Sequence, residues 1–349
     1  MSPHLTGATM KTVKIGNTIV GDDQPTFIIA EVASAHQGNI EIFKEIIEKI
    51  GRAGANAIKF QKFITDELIV PERPRYQSFK KIEFTEEQWR EVFEKARKFR
   101  WEILSDVFDE KSCDFMDELG VSAFKIHSTD LTNPYMLSYV AKKGKPILLG
   151  TGGGTLEEIK KAVQMIKSNG NTDIVLIHGF QAYPTKLEDT NLRLITKLKE
   201  TFGLITGFHD HIDAEDELAT VFPCLALTLG ASVIEKHVIL ERESKGLDYE
   251  SSLTPEEFKK MVKLIRRIEK SLGSGKFELS NAERKYKEEV KRNIVARSNI
   301  PAGTKIEFEM LAFKRSEPGL SPSETSKVIG KRAKVDIKKD EPITEEKLV

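Results

Sequence analysis

The chain has 349 residues, enough for one large domain and a small one. Its 54 Lys plus Arg balance its 54 Asp plus Glu, so the net charge gives no reason to expect a nucleic-acid partner or an anionic membrane surface. Any affinity for anions has to come from where single charges are placed. Two widely separated cysteines, Cys113 and Cys224, make no disulfide framework and point to a reducing, cytoplasmic location. No apolar stretch is long enough to span a bilayer.

In chain order, Met1 to Lys11 lacks the charged-then-apolar order of a signal peptide and reads as a short disordered lead, with Met10 an alternative start. The first apolar run is Phe27 to Glu31. A helix is expected from Ile40 to Ala53, because Phe43, Ile46, Ile47 and Ile50 fall close to one face. The run Ala57 to Phe60 follows, then a helix around Glu86 to Phe99, then Glu102 to Ser105. The alternation continues with Ala123 to Ile126, Pro146 to Leu149, Asp173 to Ile177, Leu204 to Gly207 and Ser232 to Glu235. Eight buried-strand candidates, nearly all followed by a helix, imply a parallel sheet. Over about 250 residues this is the size of an α/β (β/α)8 TIM barrel. An open doubly wound sheet ranks lower, because no Gly-x-Gly-x-x-Gly turn follows the first strand.

Residues 1–275 are therefore assigned to the barrel and 276–291, a highly charged stretch, to a linker or exposed helix. Residues 292–349 form a small β domain of short strands with Gly and Pro turns. Within it Ile300, Ile306 and Leu311 share the spacing of Ile337, Ile343 and Leu348, with Gly303 and Asp340 in matching places. Two copies of one β unit in fewer than 60 residues make a poor independent core, so docking on the barrel or on a second subunit is expected.

Catalytic groups of such a barrel sit at the C-terminal ends of its strands. Those ends carry Glu31, Lys59 with Gln61, Asp106, Lys125 with His127 and Ser128, Thr151, His178, His209, Asp210, His211, Glu235, Lys236 and His237. One lysine at a strand end is usually a solvated rim residue; several around one mouth favour an anion site. His209, His211 and His237 close the last two strands, and neighbouring strands lie about 5 Å apart, so two of these imidazoles could share one ion. Two imidazoles completed by waters, substrate oxygens or a carboxylate suit Mn²⁺ or Mg²⁺ acting as a Lewis acid. The run Gly150 to Thr155 ends in a Thr155/Glu158 capping box. It reads equally as an anion-cradling turn or as a tight βα turn.

Taken together, these residues resemble the sialic acid synthase family, including its legionaminate and pseudaminate relatives. The resemblance runs from about Lys11 to the C-terminus. Its motifs are Ile29-Ala30-Glu31 with His36 and Gly38, Ala57 to Gln61, Phe124 to Ile126, Gly144 to Pro146, Tyr183 to Thr185, and Asn191-Leu192. Asp210-His211, Gly230 to His237, Gly246, Asp248 and Ser252 complete the barrel set. Lys314-Arg315 and Pro318-Gly319 resemble the family's antifreeze-like (SAF) domain.

That resemblance implies a phosphoenolpyruvate-dependent condensation with an amino-sugar aldehyde, and it implies roles by position. His211 and His237 match metal ligands. Lys59, Lys125 and Ser128 match positions that hold phosphoenolpyruvate, and Gln181 stands in a substrate-binding segment where an Asn or Glu is usual. Glu31, Tyr183 and Asp248 match positions around the sugar, and Asp130 stands where a Glu can serve as base. Arg315 matches an arginine that reaches the sugar's N-acyl group from the partner subunit of a domain-swapped dimer. The chain departs from the family at Ala35, Asp106, His127, Gly150, Gln181 and His209, all near the mouth. An altered acceptor sugar, a phosphorylated aldose, or a catalytically altered sugar-binding homologue are the readings these departures keep open. Asp106 beside a phosphate site would repel the ligand unless protonated or paired.

Overall fold

The computed structural model describes residues 11–349, so the reading of Met1 to Met10 as a lead with an alternative start lies outside the described residues. Two compact units divide between Gly273 and Ser274.

The first unit opens with a hairpin, β1 (Thr12–Ile15) paired antiparallel to β2 (Thr18–Gly21). Eight parallel strands then close a barrel: β3 (Phe27–Glu31), β4 (Ala57–Lys62), β5 (Glu102–Val107), β6 (Ala123–Ile126), β7 (Ile147–Gly150), β8 (Ile174–His178), β9 (Ile205–Asp210) and β10 (Val233–His237), with β10 pairing back onto β3. All eight apolar runs are strands of this barrel, and the TIM-barrel expectation holds.

Side chains of a strand alternate between faces, and the alternation separates two cores. Ile28, Ala30, Ile58, Phe60, Phe124, Leu149, Leu176, Phe208 and Ile234 face the surrounding helices. Phe27, Ile29, Ala57, Leu104, Ala123, Leu148, Val175, Ile177, Ile205 and Val233 fill the lumen, joined by Val13, Ile15 and Val20 of the hairpin. The hairpin thus plugs the N-terminal end, an element the sequence reading does not anticipate.

The helix expected from Ile40 runs Ile40–Ile50, capped by the Asn39 side chain and buried along Phe43, Ile46, Ile47 and Ile50. The next runs Glu86–Ala96 behind a Thr85/Gln88 capping box, three residues short of the expected end. No helix among the described residues is long and apolar enough to cross a membrane.

In the second unit, the charged stretch folds as an exposed helix, Asn281–Val290. After it, β11 (Asn293–Ala296) pairs antiparallel to β12 (Leu311–Lys314). The internal repeat has a structural counterpart. Ile300 and Ile337 exchange both backbone hydrogen bonds, at 2.8 and 2.9 Å. The Gly303 amide donates to the Ala333 carbonyl and the Asp340 amide to the Ala296 carbonyl, the same contact in each copy. Gly303 and Asp340 both take positive φ, 81° and 67°. The core is Ile294, Ala296, Ile300, Ile306, Leu311, Leu320, Val328, Ala333, Ile337 and Ile343.

Candidate active site

Strand register decides which strand-end residues meet. Glu31 lies opposite Lys59 and His237, Gln61 opposite Asp106, Asp106 opposite Lys125, and His209 opposite Glu235. Alternation points Glu31, Lys59, Asp106, Lys125, His209, His211, Glu235 and His237 into the lumen, directly beyond the aliphatic layer.

They form one buried cluster. The Lys59 ammonium contacts Glu31, lies 2.6 Å from Asp106 Oδ2 and 3.3 Å from Glu235 Oε1. Lys125 Nζ donates to Glu235 Oε1 at 2.5 Å and lies 3.3 Å from His209 Nδ1. The Ala33 amide donates to Glu31 Oε1 at 2.7 Å from a left-handed backbone, φ 43°, which fixes that carboxylate. Asp106 is therefore paired, and the pairing answers the repulsion its position implied.

Burial pushes the Lys59 ammonium below the usual lysine value, against the opposing pull of Asp106 and Glu235. Burial alone would raise Glu235, but the Lys125 and Lys59 ammonium groups outweigh it and hold the carboxyl below its ordinary value. Buried polar atoms normally find partners. Here Asp106 Oδ1, Glu235 Oε2 and His237 Nε2 are buried without one, three polar atoms that a bound ligand would satisfy.

The ligand nitrogens of His209, His211 and His237 all lie within 4.8 Å of one another, and all three residues are buried. Burial pushes His211 down to about 3 and the other two well below the ordinary imidazole value. Neutral imidazoles are the form that ligates metal. The orphaned His237 Nε2 and this nitrogen donor set fit a divalent transition ion. Tyr183 covers the cluster, its ring 4.5 Å from His211 and 5.8 Å from His237. Its hydroxyl donates to Gln181 Oε1 at 3.1 Å.

Other residues singled out in the sequence stand elsewhere. Asp130 accepts from Asn133 Nδ2 at 2.8 Å and Thr129 Oγ1 at 3.2 Å in the turn that Ser128 opens. That turn follows directly on β6, the strand that carries Lys125. Asp248, half-buried at φ 62°, has its carboxyl raised by burial, opposed by the Arg75 guanidinium. Arg75, which the sequence reading misses, comes from a loop before the helix Tyr76–Ile82. Arg315 is exposed, just past β12 in the second unit.

Three strand-end residues face away from the lumen. Lys236 donates to Asp210 Oδ2 at 2.7 Å on the outer face of the barrel wall, and His178 Nε2 contacts the Thr190 carbonyl oxygen at 2.7 Å. His36 is also structural: it stacks on Phe43 at 4.7 Å, and its Nδ1 accepts from the Gly38 amide. Around the glycine run, a Cβ at Gly152 would run into the Gly179 carbonyl oxygen, and one at Gly150 would lie 2.9 Å from the Ser128 amide nitrogen. Those contacts favour the tight-turn reading, while the Thr155/Glu158 capping box forms as expected.

The NeuB family matches residues 46–277, and the SAF domain matches residues 291–349. An uncharacterized protein of Methanocaldococcus jannaschii is 40% identical over 334 residues, covering 96% of this chain and 98% of that one. The N,N'-diacetyllegionaminic acid synthase of Legionella pneumophila is 34% identical over 335 residues, covering 91% and 93%. The crystal structure of the N-acetylneuraminic acid synthetase of Leptospira borgpetersenii, solved with citrate, superposes with TM-score 0.75 at 31% identity, over 80% of this chain and 98% of that one. Two matched domains in this order, a closed eight-stranded barrel followed in sequence by a small antiparallel domain, make the chain a member of the NeuB family with a C-terminal SAF domain.

Proposed function

We propose that the chain condenses phosphoenolpyruvate with an N-acyl amino-sugar aldehyde of the N-acetylmannosamine type, giving a nonulosonic acid and inorganic phosphate. The observation that carries this reading is the single buried cluster in which the Lys59 and Lys125 ammonium groups lie beside the imidazoles of His209, His211 and His237. A site for an anionic enol ester and a site for a cation are then contiguous. Relatives named for legionaminic and N-acetylneuraminic acid synthesis support the same reaction class.

In this account carbon 3 of phosphoenolpyruvate forms the new bond to the aldehyde carbon. Water adds at carbon 2, and phosphate leaves with its bridging oxygen as the carbon 2–oxygen bond breaks. His211 and His237 would hold a divalent ion. Bound there, such an ion supplies Lewis-acid polarisation of the aldehyde oxygen. Lys59 and Lys125 offset the phosphate and carboxylate charge, with Ser128 in the adjoining turn as a further donor. Glu31, Tyr183 and Asp248 orient the sugar over the imidazoles, Gln181 sets the position of the Tyr183 hydroxyl, and Asp130 is the base that takes a proton from the incoming water. Arg315 reaches the N-acyl group from the partner subunit of a domain-swapped dimer, and the protein works in the cytoplasm.

Charge counting adds a requirement. In their ordinary ionised forms, Glu31, Asp106 and Glu235 outnumber Lys59 and Lys125, and the imidazoles are neutral. The anion site therefore attracts phosphoenolpyruvate only once a divalent cation has reversed the local sign.

The test is phosphate release with phosphoenolpyruvate, Mn²⁺ and a panel of aldehydes: N-acetylmannosamine, its 6-phosphate and a 2,4-diacetamido-trideoxy hexose. Release with at least one is expected, and most with a non-phosphorylated sugar. Silence across the panel would overturn the reading.

A further inference from the structure

The imidazole cluster exceeds by one residue the pair that the family resemblance assigns to a metal. We propose that His209 is a third protein ligand, so that the mouth carries a three-imidazole centre braced by Glu235, taking a nitrogen-preferring transition ion of the Zn²⁺ or Co²⁺ class over Mg²⁺. This rests on the reading above that His211 and His237 hold a divalent ion.

The orientation of each ring carries the inference. His211 Nδ1–H donates to the Phe180 carbonyl at 2.7 Å. A carbonyl only accepts, so the lone pair of His211 is on Nε2. That atom faces His209 Nε2 at 2.9 Å. On the far side of the same ring, His209 Nδ1 lies 3.3 Å from Glu235 Oε1. With the proton on Nδ1, facing the carboxylate charge rather than accepting from Lys125 Nζ at the same distance, the His209 lone pair is on Nε2 as well. A carboxylate behind a ligating imidazole is the usual arrangement for fixing its tautomer and aim.

Two lone pairs facing each other in a buried site repel unless a cation lies between them. Nitrogens each about 2.0–2.1 Å from one ion are about 2.9 Å apart at a right angle and about 3.4 Å apart at the tetrahedral angle, so the observed separation matches the first and lies about half an ångström short of the second. The buried, unpartnered His237 Nε2 supplies the third donor. Strand geometry explains the convergence: His209 and His211 are two residues apart at the end of β9 and so share a face, and His237 lies two residues beyond the partner of His209 on the neighbouring strand.

One competing arrangement places a proton on His209 Nε2, shared with His211, while Nδ1 accepts from Lys125 at 3.3 Å. It explains both that contact and the 2.9 Å approach of the two Nε2 atoms, but leaves His237 Nε2 buried without a partner. Imidazole donors favour ions late in the first transition row, whereas Mg²⁺ demands oxygen and binds at the low end of the series.

The experiment uses the full chain, stripped with a chelator and titrated with Co²⁺ under visible absorption and calorimetry, for the wild type, His209→Ser and His209→Gln. Metal-free melting curves show that each variant is folded. The wild type is expected to bind Co²⁺ with visible bands that equimolar Mg²⁺ does not remove. Both variants are expected to lose about 100-fold or more in affinity, beyond the roughly 10- to 100-fold that follows loss of an outer partner, with the bands shifted. Unchanged affinity and spectrum in both variants would overturn the third ligand and leave His209 as a hydrogen-bonded neighbour. Displacement of Co²⁺ by equimolar Mg²⁺ would overturn the ion class. A wild type that binds no Co²⁺ would overturn this centre and the metal site beneath it. A wild type that binds Co²⁺ through His209 yet releases no phosphate in the substrate panel upholds the centre and removes only the condensation chemistry.

Discussion

The two ends of the barrel lumen are made by the same strands and share almost no chemistry. At the N-terminal end Phe27, Ala57, Leu104, Ala123 and Val233 pack against the hairpin residues Val13, Ile15 and Val20. Two residues or one turn of the pleat further on, the inward positions are Lys59, Asp106, Lys125 and Glu235, and beyond them the imidazoles. The difference shows how a barrel divides its labour. The aliphatic end supplies non-directional burial, about 25 cal/mol per Å² of apolar surface, and that rigid floor allows the other end to hold buried charges that contribute little to stability by themselves.

The sharpest way to break this comparison is to remove one charge from the mouth. Lys59→Met leaves Glu31, Asp106 and Glu235 with one fewer counter-ion in a buried site. A loss of about 3–5 kcal/mol is expected, as for a buried pair deprived of one partner, together with loss of phosphoenolpyruvate binding. Urea unfolding measures the first and calorimetry the second; a cost below about 1 kcal/mol would mean the cluster is solvated.

On β5 a single pair of positions sharpens the contrast. Leu104→Ala, in the aliphatic layer, should cost about 2–5 kcal/mol by opening a cavity while leaving metal and phosphoenolpyruvate affinity intact. Asp106→Asn, two residues on, should instead strengthen phosphoenolpyruvate binding, by about tenfold for each 1.4 kcal/mol of repulsion removed. Equal effects of both variants on ligand affinity would dissolve the distinction between the two ends.

A smaller effect comes from pH, outside the lumen. His36, buried against Phe43 and Phe84, is pushed down to about 4 by burial. The unfolded chain protonates this group below about 6.5 while the folded chain refuses the proton, so stability falls as pH drops from about 6.5 to about 4. His36→Phe should flatten that slope in metal-free protein by one proton. An unaltered slope would show that the imidazole is not held neutral.

Arg315→Ala should have the smallest effect on folding, within about 0.5 kcal/mol, because the side chain is exposed. It should raise KM for the amino sugar and leave KM for phosphoenolpyruvate unchanged. Equal KM values for wild type and variant would remove Arg315 from acceptor recognition.

What the sequence made legible follows the same division. The strands were readable because each is a short apolar run between amphipathic stretches, and the repeat of the second unit because Ile300 and Ile337 occupy the same place in two copies. The hairpin was not, since four-residue strands such as Thr12–Ile15 gain their apolar surface only once the barrel floor exists to cover. At the mouth, Lys59, Lys125, His211 and His237 were visible as ionisable residues ending apolar strands. Asp210 and Lys236 were grouped with them although period-two alternation turns both outward. His209 was grouped with His211 and His237 at these strand ends, and only the family resemblance narrowed the metal pair to the latter two. Arg75 left no signal, because a loop residue reaches the mouth through a path that periodicity does not describe.

The most direct test of the central claim is calorimetric titration of phosphoenolpyruvate into the chelator-stripped chain, with and without a divalent ion. Lysines outnumbered by carboxylates beside three neutral imidazoles predict no detectable binding in the stripped chain and clear binding once Mn²⁺ or Co²⁺ is restored. Phosphoenolpyruvate binding equally well in both states, or in neither, would contradict it.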